Sequence, residues 1–419
     1  MLIMLFTSRL DFVPAPLCYD AATMTERRVY VDHAATTPTD PRVVEAMLPY
    51  LTEVWGNPSS IYYEAREARK GLDAARRSIA EVLGARPQEV VFTSGGSESD
   101  NLALRGVAYG ARRRGNHIIT TAVEHHAVLH EAERLEQEGF RVSYLPVDRE
   151  GFVDLDALAN ALDDETTLVS IMYANNEVGT VEPIAEAARI VKARDPHIAF
   201  QTDAVQAAGY LDLNVDRLGV DLLSLAGHKI YGPKGVGVLY VRSRTPFVPQ
   251  TLGGSQEKNR RAGTESVANA AGMSAALRLA EEERAQRIAQ VLPLRDRLLD
   301  ELPQRVPGTH VTGPIDRGRR VPASFSCCFE RVEGEAILLQ LDLKGVSASS
   351  GSACTTASLE PSHVLLAMKV PHELARGSLR VTLGKDNTAE DVDKLLEVIP
   401  ESVERLRSLS PQARQATRA

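Results

Sequence analysis

Four cysteines in 419 residues are too few for a disulfide scaffold, so the thiols of Cys18, Cys327, Cys328 and Cys354 are expected to be free. No apolar stretch approaches the roughly 20 residues that a membrane helix needs. No basic block stands out either. With 48 Lys+Arg against 56 Asp+Glu the formal net charge is −8, which disfavours a surface built to coat nucleic acid. The apolar start of the chain is interrupted by Arg9 and Asp11, too early for the core of a secretory leader. Repeats and low-complexity blocks are missing as well. These absences point to a cytoplasmic, globular protein, and at about 150 residues per domain the length suits one large and one smaller domain.

What is present is an alternation of strand-like apolar runs and helix-period segments, the pattern of a mostly parallel α/β sheet. Residues 1–27 read as an N-terminal extension expected to be disordered, with Met24 an alternative start just ahead of RRVYVDH. A large domain is expected over 28–263, with its first segment free to pack with the smaller one. A connecting helical run over 264–302 follows, expected to break at Pro293, and then a small α/β domain over 303–419. Strands are expected at 89–94, 117–123, 168–175, 198–203, 221–227 and 236–242, and helices at 64–84 and 184–195.

Polar residues collect where these strands end, which is where open α/β sheets place their ligands. EVVFTSGGSESDN runs from a strand through Gly95-Gly96-Ser97 into a helix, a start that suits a phosphate or serves only as a turn. In FQTDAVQAAG, Asp203 ends a strand, either as a cap or as a functional carboxylate, with Gln206 at the start of an expected helix. LLSLAGHKIYGPKG puts His228 and Lys229 directly after the next strand. A lysine there is either a snorkelling surface group or an amine tuned for Schiff-base chemistry. TTAVEHHAVLH places Glu124, His125 and His126 after another strand, and without ligands at metal spacing the histidines suit stacking or proton transfer rather than zinc. Lysine, aspartate, histidine and phosphate cradle together are what pyridoxal 5'-phosphate (PLP) demands.

Ten segments in order, from DHAATTPTDPRV through WGNPSS, FTSGGSESDNLAL, VEHHAVL, NNEVGT, TDAVQAAG, GHKIYGPKG, RAGTES and SSGSACTTASLEPSHVL to ELARGSLRVTLG, resemble the cysteine desulfurases. These are fold-type I PLP enzymes of the class V aminotransferase group. The resemblance implies an α/β fold, with a mostly parallel seven-stranded sheet in the large domain and a smaller C-terminal α/β domain. It implies Lys229 as the Schiff-base lysine, Asp203 as partner of the pyridinium nitrogen and His125 stacked on the ring. Gln206 would bond the ring hydroxyl, while Asn176 and Arg380 would hold the substrate carboxylate. Gly96, Ser97 and His228 would hold the phosphate, together with Thr264 of the partner subunit of a homodimer. Cys354 would be the nucleophile that takes sulfur from L-cysteine as a persulfide and leaves L-alanine.

The long segment ending SLEPSHVL resembles the group with a mobile catalytic loop, whose acceptors are iron–sulfur scaffold proteins or tRNA-thiolation enzymes. No metal is implied in the PLP site. Three features depart from the family pattern: Ala226 stands where many relatives have Ser, Tyr62-Tyr63 follow NPSS in place of the usual His and Phe-Gly, and the N-terminal extension has no counterpart. A selenocysteine lyase or another class V aminotransferase-type enzyme would share Lys229 and Asp203, but an aminotransferase has no use for Cys354. Cys327 and Cys328, in the apolar run ASFSCCFERV, are expected in the core.

Overall fold

The computed structural model describes residues 27–351 and 360–409; Cys354 and the N-terminal extension up to residue 26 lie outside the described residues. The chain enters through a short strand, β1 (Val29–Tyr30). The main sheet is built from β2 (Val90–Thr93), β3 (His117–Thr121), β4 (Arg141–Leu145), β5 (Thr166–Ser170), β6 (Ala199–Asp203), β7 (Leu222–Ala226) and β8 (Gly237–Val241). Their order is β2-β8-β7-β6-β5-β3-β4, with β8 antiparallel to both neighbours and the other pairs parallel.

Successive residues of a strand point to opposite faces, and the cores follow that period. Val90, Ile119, Val169, Phe200, Leu223 and Val238 enter one hydrophobic cluster. Their sequence neighbours Val91, Ile118, Leu168, Ala199, Leu222 and Leu239 enter the other. Both faces are therefore covered, which is why the central strands read as continuous apolar runs. β4 lies at the sheet edge with only Leu145 buried, so its weak apolar signal gave no strand expectation.

The second layer of strands comprises β9 (Thr309–Val311), β10 (Ser324–Phe329), β11 (Val346–Ser347) and β12 (Ser378–Thr382). β10 pairs antiparallel with β9 and β12, while β11 pairs in parallel with β1. This pairing carries Val29 and Val31 into the C-terminal core beside Phe325, Leu379 and Val381. Cys327 and Cys328 are buried in β10, and burial holds both thiols protonated by pushing their pKa values up.

Two local expectations are corrected. The long helical run is not broken at Pro293, which lies inside the helix Arg284–Arg305. The break from the helix Val267–Glu282 falls at Glu283, whose carboxylate is held by Arg42 at 2.6 Å and by Arg287 at 2.9 Å. Nor does a helix begin at Gln206: residues 205–210 are turns, set off when Asp203 Oδ1 accepts from the Val205 amide at 2.8 Å. An Asp side chain bonded to the backbone two residues on favours such a turn over a helix.

Candidate active site

β2, β3, β5, β6 and β7 run the same way, so their C-terminal ends share one edge of the sheet. A cavity of about 400 Å³ opens there, within the range of small-molecule sites. Lys229, Asp203, His125, Gln206, Asn176 and Arg380 line it. Gly96, Ser97 and His228 also line it. Of the described sequence-derived site residues, Thr264 alone stands apart, exposed in a separate cleft with Thr93, Ser94 and Arg261.

Lys229 closes a short 3₁₀ turn, Gly227–Lys229, directly after β7. Its Nζ donates to the carbonyls of Ala34 at 2.6 Å and Ala35 at 2.8 Å. Those carbonyls belong to the loop that follows β1, and Gln206 Nε2 donates to the same Ala34 oxygen at 3.0 Å. Asp203 is 6% exposed. Burial pushes its carboxyl above the usual range, against the Val205 hydrogen bond and the charge of Lys229. A cationic ring nitrogen set beside Asp203 would relieve that burial cost.

The helix Gly96–Gly110 presents its N-terminus to the cavity. A Cβ at Gly96 would come within 2.9 Å of Val205 Cγ2, and one at Gly237 within 2.6 Å of the Gly95 backbone. Glycine is what lets strand end, turn and helix start approach so closely. The free N–H groups of that helix start suit a phosphate. Ala226 Cβ lies 3.6 Å from the same Cβ position at Gly96, so Ala226 borders the start of that helix. The residues present therefore fit PLP: an amine, a buried acid for its ring nitrogen and an anion cradle, all facing one space.

His125 caps the helix His126–Gln137, its Nδ1 accepting from the Ala127 amide at 3.1 Å. Burial and the nearby charge of Lys229 lower its pKa to about 4. The neutral ring then carries its proton on Nε2. His228, with Nδ1 3.1 Å from Thr36 Oγ1, is also held neutral, its pKa lowered to about 4 chiefly by burial. The ring of His126 packs against His130 and His363 at centroid distances of 4.9 and 4.6 Å.

Arg380, from β12, crosses from the second layer of strands into the cavity. Its Nη1 donates to the Asn176 carbonyl at 2.9 Å and its Nη2 to Asp32 at 2.8 Å, while Nε has no partner among the described residues. Each Nη carries a second proton, and such donors on a guanidinium that lines the cavity suit a carboxylate ligand. Asp32 was not anticipated as its partner. Nor was Asp100, a buried acid lining the cavity that accepts from Gln201 at 3.2 Å and is pushed up by burial and by Asp203. Asp100 lies one turn beyond Gly96 on the same helix face, so a helical reading of GSESD could have found it.

The model of the family described as Aminotransferase class-V matches residues 29–395. A cysteine desulfurase IscS of Dictyoglomus turgidum is 53% identical over 386 residues, spanning 92% of this chain and 97% of that protein. Among solved structures, a NifS-like protein at 38% identity superposes with a TM-score of 0.85, covering 90% of this chain and all of that one. A structure described as SspA in complex with cysteine is 33% identical, with a TM-score of 0.74, and covers 86% of this chain and all of its own.

Proposed function

The chain belongs to the cysteine desulfurases of the class V aminotransferase family, and from that premise we propose how its residues divide the work. The observation that carries the reading is the single cavity onto which Lys229, Asp203, His125, Gly96, Ser97, His228, Asn176 and Arg380 converge. Lys229 would hold PLP covalently, with Asp203 at its ring nitrogen, His125 against its face and Gln206 at its hydroxyl. Gly96, Ser97 and His228 take the phosphate end. When bound, this cofactor supplies an electron sink for bond breaking next to the substrate amine.

Arg380 and Asn176 bind and orient the carboxylate of L-cysteine, the only group of that substrate with a full negative charge besides its thiolate. His125, neutral and protonated at Nε2, can donate a hydrogen bond there without bringing a second positive charge beside Lys229. Cys354 attacks the substrate sulfur as a thiolate. The S–S bond forms, the substrate C–S bond breaks with its electron pair left on carbon, and a proton added to that carbon completes the methyl group of L-alanine. The sulfur remains as a persulfide on Cys354 for an acceptor protein, an iron–sulfur scaffold or a tRNA-thiolating enzyme.

The functional unit is a homodimer in which Thr264 of the partner subunit completes the phosphate site. Support comes from Thr264 lying outside its own chain's cavity and from exposed apolar side chains nearby in sequence to WGNPSS: Leu51, Trp55, Ile61, Tyr62 and Tyr63. Exposed large apolar side chains grouped this closely along the chain suit an interface better than bare solvent. Among the described residues no helix is long and apolar enough to cross a membrane.

The decisive experiment incubates the purified protein with L-cysteine and follows alanine and released or protein-bound sulfur together. Alanine and sulfur in equal amounts support the reading. Sulfide without alanine would overturn it.

A further inference from the structure

Glu177 is a glutamate only 4% exposed, on the turn that joins the two strand-like ends of NNEVGT. A buried carboxyl is costly unless its contacts use it. Here they do. Its Oε2 accepts a short hydrogen bond from Ser362 Oγ. The same oxygen lies against Gly351, where an added Cβ would collide with it. Gly351 and Ser362 bracket Cys354 in sequence, so one carboxylate oxygen touches the chain on both sides of the sulfur-carrying residue.

The support on each side is firm. Ser362 is 3% exposed, and while it donates to Glu177 its oxygen accepts from the amides of Val364 at 3.1 Å and Leu365 at 3.3 Å. Glu177 itself is set by Asn175, whose Oδ1 accepts from the Glu177 amide at 2.9 Å and the Val178 amide at 3.0 Å. The next residues are tied to the segment that leads into β10, through Arg320 Nη1 to the Val178 carbonyl at 3.0 Å and the Val321 amide to the Gly179 carbonyl at 2.8 Å. On the other side Asn176 gives its carbonyl to Arg380. The turn that helps to hold the substrate-binding arginine therefore also holds both flanks of Cys354.

We infer that Glu177 is a positioning residue for sulfur transfer, registering the flanks of Cys354 to the substrate-binding turn through Gly351 and Ser362. This role rests on the reading of Cys354 as the sulfur carrier. It acts on the transfer step rather than on substrate binding, because Glu177 bonds the flank of Cys354 while Arg380 keeps its own bonds to Asn176 and Asp32. Misplacing a reacting group by an ångström can cost about a hundredfold in rate.

The test uses full-length enzyme loaded with its cofactor, in four forms: Glu177→Ala, Glu177→Gln, Ser362→Ala and the double variant Glu177→Ala/Ser362→Ala. Binding is read from the change in cofactor absorbance on titration with L-cysteine. Transfer is read in a single turnover from persulfide on Cys354, trapped by alkylation and located by mass spectrometry. Hydrogen exchange at the Val364 and Leu365 amides gives a readout independent of turnover. Glu177→Ala should bind L-cysteine within about twofold of wild type, form persulfide at least about tenfold more slowly, and exchange faster at both amides. Glu177→Gln should recover most of the rate, since its amide oxygen can still accept from Ser362. Ser362→Ala should reproduce the slowing, and the double variant should be no slower than either single one, because both remove the same bond.

Wild-type transfer rates in both single alanine variants, or losses that multiply in the double, would overturn the role. Should Glu177→Ala fail to fold, Ser362→Ala and Glu177→Gln decide the question alone. Persulfide found on a cysteine other than Cys354 would overturn the carrier assignment and this role with it, whereas a normal rate with persulfide on Cys354 overturns the role only.

Discussion

Arg380 and Asp32 form an ion pair, Nη2 to Oδ1 at 2.8 Å, between side chains 4% and 17% exposed. The arginine proposed to bind the substrate carboxylate thus already has a carboxylate partner, and L-cysteine must share it. Arg380→Lys, which loses the planar fork of donors, should raise KM by about tenfold or more with a smaller change in kcat. Asp32→Asn should instead lower KM a few fold by easing the competition, while the melting temperature falls because a buried guanidinium loses its counterion. Steady-state kinetics with L-cysteine check both, and a rise in KM for Asp32→Asn would show that Asp32 orients Arg380 rather than competing for it.

Cys354→Ala should retain bound cofactor by absorbance yet release neither alanine nor persulfide sulfur. Cys327→Ala and Cys328→Ala should stay active, each losing about 1 kcal/mol of stability from the small cavity left in β10. Paired assays of alanine and sulfur, with urea unfolding of the two core variants, check this.

Borohydride reduction of the loaded enzyme should fix the cofactor to Lys229 and leave Lys234 unlabelled, as read by peptide mass spectrometry. Asp203→Asn should keep the cofactor but lose turnover by about a hundredfold or more, because an amide holds a positive ring nitrogen less well than a carboxylate. Near-normal turnover would reduce Asp203 to the start of its turn.

Burial raises the Glu177 carboxyl to about 7 and the Glu182 carboxyl to about 8, from an ordinary 4.5. Both acids therefore bind their protons more tightly in the folded chain. The stability that this contributes is complete below about pH 4.5 and is lost as pH rises through the two folded values. For Glu177 the swing is roughly 3 kcal/mol. Glu177→Gln removes that loss, so its urea midpoint should gain on wild type between about pH 4.5 and pH 7 and hold a level lead above about pH 8. A constant gap across that range would show that the carboxyl does not titrate there.

The protein should run as a dimer in light scattering, and Thr264→Ala should weaken PLP binding severalfold without changing the mass of the dimer. Deleting residues 1–23 should alter neither activity nor dimerisation. An active monomer would contradict the first expectation, and a loss of either property on deletion would contradict the second.

Sequence alone marked the ends of β6 and β7 and what stands on them, because those signals are local, whereas the run expected to reach residue 175 already stops as β5 at Ser170. An apolar run that stops at Asp203, or at Gly227-His228-Lys229, announces both the strand and the polar group beyond it, and parallel strands must bring such ends to one edge. The alternation of core residues between the two sheet faces follows from the same short-range pattern. Tertiary structure decided what depends on distant contacts. Glu177 and Ser362 are separated by 185 residues, and Asp32 and Arg380 by 348, so no local pattern marks either pair. A buried acid reads as an ordinary polar turn residue until folding takes water away from it, and only then do its partners and its raised affinity for a proton exist.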